Sequence, residues 1–223
     1  MAVKIIKRLL SYVLVLFGLS VLIFVLVRIM PGDTARIALG ARAPEYAVEA
    51  LREEMHLKDP YPVQYVYWLR DMLRGDFGDS IITKRPVLQD IRSYLPATME
   101  LVVLSSVILV VCGIVLGVIS TKYAGKWQDG LIRVFSYFGI VAPAFLWAVL
   151  VMLLFAYLIP VLPVSGRIST GMTPPPTFTG MYIIDYLLSG NPAGAWDAFR
   201  HIVMPSVVLS FAGLSQGARI TRS

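Results

Sequence analysis

Cysteine and histidine are scarce in this sequence. Its 223 residues include one cysteine, Cys112, and two histidines, His56 and His201, which lie far apart and form no H-x-x-x-H pair. A single cysteine excludes an internal disulfide and a multi-cysteine metal site. No nucleophile–base pair is recognisable, and the nearest approach to a phosphate-binding loop, STKYAGKW, would need glycine at Ser120 and serine or threonine at Trp127. The sequence therefore predicts no catalytic, cofactor or metal site, and any ATP would have to be bound by another chain.

Charged residues are also few, at 15% of the chain, whereas hydrophobic residues make up 57%. A typical soluble domain is about 25% charged, and the mean hydropathy here is +0.72. This composition indicates a membrane protein. The formal net charge of +6 then reflects basic residues that flank membrane spans, and nucleic acid is not expected as a partner.

Four long runs without a charged residue predict four transmembrane helices. The first run would extend roughly 28 Å as a helix, close to the thickness of a hydrocarbon core. Pro160 and Pro163 are expected to end the third helix, because proline lacks an amide hydrogen, and Pro205 is expected in the first turn of the fourth. The predicted fold class is an all-α polytopic membrane protein with apolar runs at Leu9–Val27, Leu101–Thr121, Val134–Gly166 and His201–Ala218.

Basic residues near the span ends predict the orientation. Three basic clusters fall on one side of the membrane if four spans alternate, so both chain ends are expected in the cytoplasm; the clusters are Lys4, Lys7 and Arg8, then Lys122, Lys126 and Arg133, then Arg219 and Arg222. A cleaved signal peptide is the alternative interpretation of the first span, although signal cores are shorter, at about 7–15 residues. The predicted division is cytoplasmic 1–8, span 9–29, external 30–97, span 98–121, cytoplasmic 122–132, span 133–159, external 160–200, span 201–218 and cytoplasmic 219–223.

The first external segment contains two stretches with apolar residues at helical spacing. PEYAVEALREEMHL and PVQYVYWLRDMLRG both predict short amphipathic helices, and Gly75 is placed to end the second. These helices either cap the bundle or form a docking surface for an external partner, and both interpretations stay open. The second external segment is rich in proline and glycine and is predicted as a loop rather than a fifth span.

The predicted spans carry no acidic or basic residue at mid-membrane. Glu100 is expected in the first turn of the second span, where a carboxylate favours the positive end of the helix dipole; an ion site is the alternative. Gly139 and Pro143 interrupt the third span and predict a kink, which either lines a pathway or serves only packing. Two G-x-x-x-G pairs predict close helix packing, and they are Gly113 with Gly117 and Gly213 with Gly217.

Seven stretches in order resemble the permease subunits of binding-protein-dependent ABC importers for dipeptides, oligopeptides and nickel. They are RIMPGD, LKDPYPVQYVYWLRDMLRGDFGDS, PVLQDIRSYLPATMEL, GIVLGV, GIVAPAF, LPVSGR and HIVMP. The chain departs from the family pattern at Thr34, where another proline is frequent, and at Val141 and Ala144, where serine is usual. Neither Val141 nor Ala144 has a hydroxyl group, so a hydroxyl contact to substrate is not expected at these two positions of the third span.

The resemblance implies a prokaryotic inner-membrane permease of six spans that forms half of a translocation path by alternating access. Implied partners are a homologous second permease, two cytoplasmic ABC ATPases that bind ATP and Mg²⁺, an external solute-binding protein and membrane lipid. The resemblance implies no enzymatic activity in this chain. Pathway candidates are Gly139, Pro143 and Phe145, and docking candidates for the binding protein are Trp68, Arg70 and Asp79.

The segment ARITRS resembles the approach to the cytoplasmic EAA loop, which carries the coupling helix in this family. The chain is therefore expected to be the amino-terminal part of a longer permease. A membrane scaffold or receptor without transport and an ion-coupled carrier remain alternative functions. The substrate classes that the resemblance allows are dipeptides, longer peptides, nickel and oligosaccharides.

Overall fold

A computed structural model of the protein describes residues 2–29, 32–40, 42–80 and 82–222. Nine helical residues have side chains outside the described part, and they are Ala2, Ile140, Val141, Ala212, Ser215, Gln216, Ala218, Arg219 and Arg222. Both members of the third basic cluster, Arg219 and Arg222, are among them. The chain divides into two compact units, Met1–Asp90 and Ile91–Ser223. The described ranges contain helices and no strand, apart from one isolated bridge between Asp79 and Pro86, and the predicted all-α membrane fold is confirmed.

Unit 1 begins with one uninterrupted helix, α1, at Ala2–Ile29, followed by α2 at Thr34–Leu39, α3 at Glu45–Glu54 and α4 at Tyr61–Leu73. Asp33 caps α2 by accepting a hydrogen bond from the Ala35 amide at 3.1 Å. The two predicted amphipathic helices are therefore present as α3 and α4. α4 ends at the predicted glycine, because Gly75 adopts φ +85°, the left-handed conformation that favours glycine after a helix.

α5 covers Val87–Lys122, and all but its first four residues belong to unit 2. α6 covers Trp127–Val141, and α7 covers Ala144–Met152 and continues as a π-helical turn at Leu153–Leu158. Two further helices complete the unit, α8 at Tyr182–Leu188 and α9 at Pro192–Arg222. α5 is longer than the predicted second span, so Pro96 and Glu100 lie inside it. The expected place of Glu100 in a first helical turn is therefore wrong.

α9 also begins earlier than the sequence predicts. Asn191 accepts a hydrogen bond from the Gly194 amide at 2.9 Å, and Pro192 occupies the first helical position, where its missing amide hydrogen costs nothing. Pro205 therefore lies in the helix interior and not in a first turn. The segment 160–200, predicted as an external loop, is likewise not wholly a loop, because it contains α8 and the start of α9.

The number of membrane crossings follows from length and composition. Among the described residues, Val3–Ile29 and Val87–Lys122 are long and apolar enough to cross a bilayer, and a third crossing results if α6 and α7 form one broken span. The predicted fourth span lies within α9, which is a continuous helix there. The sides on which the connections lie, and the places where each helix enters the membrane, stay predictions.

The packed core of unit 2 lies between α8 and the first turns of α9. Tyr186, Ala195 and Ala198 are buried there against Ile168, Tyr182 and Ile183. Gly194 is needed at this contact, because a β-carbon at its position would lie 2.5 Å from the Tyr186 ring. The Tyr186 hydroxyl donates to the Thr173 carbonyl at 2.6 Å, and burial raises the pKa of this phenol.

Candidate functional site

The break between α6 and α7 contains the three predicted pathway residues. Ala142 and Pro143 are extended, and the two helices meet at an angle of 110°. Pro143 has no amide hydrogen to donate to the carbonyl of Gly139, so the helical ladder is interrupted at that carbonyl. Phe145 follows in the first turn of α7 with 70% of its surface exposed. The expected kink is thus a complete break between two helices.

A second feature of unit 2 surrounds Glu100. This carboxylate is 8% exposed, accepts from the Arg167 guanidinium at 2.8 Å and accepts from the Ile183 amide at 2.7 Å. Arg167 also donates to the Gly180 carbonyl at 3.0 Å, and its guanidinium lies 3.6 Å from the centre of the Tyr182 ring. Glu100, which belongs to α5, thereby contacts both the segment after α7 and the start of α8. Its role is structural, because its ion pair with Arg167 joins separate segments of the chain.

A cavity of about 150 Å³ adjoins this ion pair, and Glu100, Arg167, His201 and Pro205 are among its lining residues. His201 is buried, and its Nδ1 lies 2.8 Å from the Asp197 carbonyl. Asp197 accepts from the amide and hydroxyl of Ser169 at 2.8 and 2.6 Å. Burial alone would raise the pKa of Asp197, but these hydrogen bonds, with His201 and Arg200 nearby, hold the pKa below its usual range. Glu100, Arg167 and His201 in the cavity wall thus each have a polar partner.

A third cluster lies at the other end of α5, where α5 turns into α6. Asp129 is fully buried and accepts from the Ser120 hydroxyl at 2.5 Å, from the Gly125 amide at 3.1 Å and from the Arg133 guanidinium. The Arg133 hydrogen bond, followed by those from Ser120 and Gly125, holds the pKa of Asp129 well below its usual range. Glu100 and Ser120 are 20 residues apart on one helix, or about 30 Å. The two carboxylate clusters are thus separated by about one bilayer core.

The glycine pairs lie where α5 and α9 approach each other. Gly113 and Gly117 are buried on α5. A β-carbon added to Gly217 would lie 3.5 Å from the Gly113 α-carbon, and one added to Gly213 would lie 2.1 Å from a methyl of Leu109. Small residues at these positions let the two backbones pack closely.

The predicted docking residues of unit 1 differ in their surroundings. Trp68 is half-buried, and its ring lies 5.9 Å from that of Phe24 on α1. Arg70 is exposed, lies 5.4 Å from the centre of the Tyr67 ring and pairs with Asp71. Asp79 is exposed and belongs to the isolated bridge. Trp68 therefore packs α4 on α1, while Arg70 and Asp79 are accessible to a partner.

Sequence reasoning did not single out Arg167 and Asp129 as members of these clusters. Arg167 lies 67 residues from Glu100, so no local pattern joins them. The Asp129–Arg133 pair could have been found, because opposite charges four residues apart on a helix face each other. Within the described ranges, no group of three His, Cys, Asp or Glu side chains is placed to hold a metal ion.

Three proteins similar to this chain are named as permeases of dipeptide, D,D-dipeptide and glutathione transport systems. Residues 1–102 match the family model described as the N-terminal part of the binding-protein-dependent transport system membrane component. The resemblance to binding-protein-dependent permeases is confirmed. The chain is 37% identical over 217 residues to the probable D,D-dipeptide transport system permease protein of Escherichia coli, and that alignment covers 97% of the chain and 64% of the relative.

Two further permeases extend this comparison. The chain is 31% identical to the dipeptide transport system permease protein of Alkalihalophilus pseudofirmus, across 97% of the chain and 65% of the relative. It is 29% identical to the glutathione transport system permease protein of Salmonella typhimurium, across 98% of the chain and 62% of the relative. The chain thus spans a little under two thirds of the length of these permeases.

Proposed function

We propose that this chain is a permease component of an ATP-driven importer of dipeptides or oligopeptides, and that its helices form half of a translocation pathway. The observation that carries the proposal is the similarity of nearly the whole chain to peptide permeases, at 37% identity for the Escherichia coli relative. The relatives' names include dipeptide, D,D-dipeptide and glutathione transport. Small peptides are therefore the substrate class favoured over nickel and oligosaccharides.

The geometry of unit 2 supports alternating access. Helices that slide or rock need close backbone contacts and a place to hinge, and the Gly113–Gly217 approach and the break at Pro143 provide these features. Broken helices also present free backbone carbonyls to a polar cavity within the membrane. The proposed pathway residues are Gly139, Pro143 and Phe145. The substrate would pass without any of its bonds being made or broken.

The proposed assembly contains a homologous second permease, two ABC ATPases that bind ATP and Mg²⁺ on the cytoplasmic side, and an external solute-binding protein. The chain itself would be a multi-pass protein of the inner membrane, with its amino terminus in the cytoplasm. This orientation places the Asp129 cluster on the ATPase side and the Glu100 cluster on the side of the binding protein.

The test is uptake of a radiolabelled dipeptide into proteoliposomes that contain this chain with its candidate partner subunits. The proposal predicts uptake that requires ATP on the ATPase side and added binding protein, and that is unaffected by an ionophore. Uptake that collapses with the ion gradient and ignores ATP would favour an ion-coupled carrier. Binding of the partners without any uptake would favour a scaffold.

Docking of the binding protein is tested separately by Arg70→Ala and Asp79→Ala. Because both side chains are exposed, we expect normal expression and a several-fold loss of uptake that higher concentrations of binding protein partly restore. Trp68→Ala is the comparison, because Trp68 packs on Phe24 and its loss should lower expression and uptake together. If uptake fell in proportion to expression in all three variants, a docking role for Arg70 and Asp79 would be contradicted.

A further inference from the structure

Unit 1 contains a cavity of about 240 Å³ near the carboxyl end of α1. Two of its lining residues, Gln64 and Arg28, each have a polar or charged group without a hydrogen-bond partner among the described residues. Arg28, Arg52, Lys58, Tyr61 and Gln64 are among its lining residues. Its volume is far above the roughly 10–15 Å³ that one water needs. The cavity therefore has room for a polar group of several heavy atoms.

Gln64 is 4% exposed, is among the residues that line this cavity, and has a buried acceptor. Its amide nitrogen donates to the carbonyls of Leu57 at 3.2 Å and Asp59 at 2.7 Å, which fixes the direction of the amide. Its Oε1 is buried and accepts no hydrogen bond from any described residue. A buried acceptor without a donor destabilises the folded protein, because it has lost its hydrogen bonds to water. A ligand that brings an N–H or O–H donor would remove this destabilisation.

Arg28 is the second of these two residues, and its charge has no carboxylate partner among the described residues. Its guanidinium lies 5.2 Å from the centre of the Phe24 ring. The other two cations of the wall are paired, because Arg52 pairs with Asp33, Glu45 and Glu49, and Lys58 pairs with Glu49 and Glu53. Arg36 also pairs with Glu45, so the four cations, Arg28 included, and these four carboxylates sum to zero charge. A neutral ligand with one anionic and one donor group matches this balance.

The position along α1 indicates where the ligand comes from. Arg28 follows directly after the uncharged run of α1, at the level where a spanning helix reaches the headgroups. The apolar side chains just before it are exposed, with Leu22 and Leu26 each 56% accessible. This surface is available to acyl chains of a lipid whose headgroup enters the cavity.

We propose that this cavity binds the headgroup of a zwitterionic phospholipid with a primary ammonium, that is, a phosphatidylethanolamine. The phosphate pairs with Arg28, since a guanidinium binds phosphate oxygens through two parallel hydrogen bonds. The ammonium donates to Gln64 Oε1. The site is independent of the proposed transport function, because it belongs to unit 1 and is measured without substrate.

The experiment is native mass spectrometry of the full chain in detergent that contains equal amounts of dioleoyl phosphatidylethanolamine, phosphatidylcholine and phosphatidylglycerol. We expect several-fold more retained phosphatidylethanolamine than either other lipid. Phosphatidylcholine keeps the phosphate but has no N–H donor, and phosphatidylglycerol adds a net negative charge. Equal retention of the three lipids, or a preference for either of the other two, would overturn the proposal.

Two variants and one soluble probe complete the test. Arg28→Met should abolish the preference, whereas Arg74→Met, which removes an equal charge from an exposed position after α4, should leave it unchanged. Equal loss in both variants would contradict the site. O-phosphoethanolamine should displace the lipid only at far higher concentration, and displacement at equal concentration would refute a membrane source. If Arg28→Met does not fold, the lipid preference of the unsubstituted chain and the displacement by O-phosphoethanolamine still test the proposal.

Discussion

Arg167 and Glu100 form an ion pair of 2.8 Å across 67 residues of sequence. Glu100 is nearly inaccessible, whereas 32% of the Arg167 side chain is exposed. The pair joins the segment after α7 to the interior of α5. Because a buried carboxylate without its partner is costly, the two halves of the pair are expected to differ in their response to substitution.

Arg167→Met should destabilise unit 2 by about 3–5 kcal/mol, because it leaves Glu100 charged and paired only with the Ile183 amide. Glu100→Gln should cost less, and Arg167→Met combined with Glu100→Gln should cost less than Arg167→Met alone. Thermal unfolding in detergent measures the three variants. If the loss of stability in the double variant equalled the sum of the losses in the two single variants, the two side chains would not interact.

Two helical glycines of unit 2 should respond oppositely to alanine. Gly194→Ala would place a methyl 2.5 Å from the Tyr186 ring, which is held by its hydroxyl, so we expect a loss of about 1–3 kcal/mol. Gly130→Ala in α6 meets nothing within 4 Å and should gain up to about 1 kcal/mol from helix propensity. Unfolding temperatures that shift in the same direction would contradict the packing described for α8 and α9.

The Asp129 cluster predicts a pH dependence. Its folded pKa is depressed, so its contribution to stability is complete above the ordinary aspartate pKa of about 3.9 and is lost as pH falls through the lower folded value. The difference in unfolding temperature between the unsubstituted chain and Asp129→Asn should be constant from about pH 5 to 8 and should narrow below about pH 4. Glu54→Gln, at an exposed position, is the control and should show little difference at any pH. A gap that widens in acid would refute this assignment.

The break at Pro143 predicts an effect on transport. Pro143→Ala restores an amide hydrogen that can reach the Gly139 carbonyl, so it should favour a continuous helix and lower dipeptide uptake several-fold at normal expression. Pro205→Ala is the matched control, because Pro205 already lies within the continuous helix α9. Unchanged uptake in Pro143→Ala, or an equal loss in both variants, would mean that the break serves packing and not transport.

The fold class and the short helices α3 and α4 could be predicted from the sequence. An apolar run as long as Leu9–Val27 predicts a helix that spans a bilayer. The helical spacing of apolar residues in PEYAVEALREEMHL is a local property of the sequence, and it predicts α3. The helix boundaries could not be predicted in the same way. A proline is a local signal of a helix end, yet Pro96 and Pro205 both lie inside helices. α9 already starts at the Asn191 cap, so Pro205 removes one hydrogen bond from a helix that begins well before it.

The sequence by itself determined that this protein is helical, enters a membrane and resembles peptide permeases, because these properties depend on composition, on periodicity and on short motifs in order. Only the tertiary structure decided that Glu100 pairs with Arg167 and that Gly217 lies against Gly113. It also decided that Gln64, whose buried acceptor meets no donor among the described residues, lines the same cavity as Arg28. The reason is physical: each of these relationships joins residues that are distant along the chain and is set by packing in three dimensions, which no local pattern encodes.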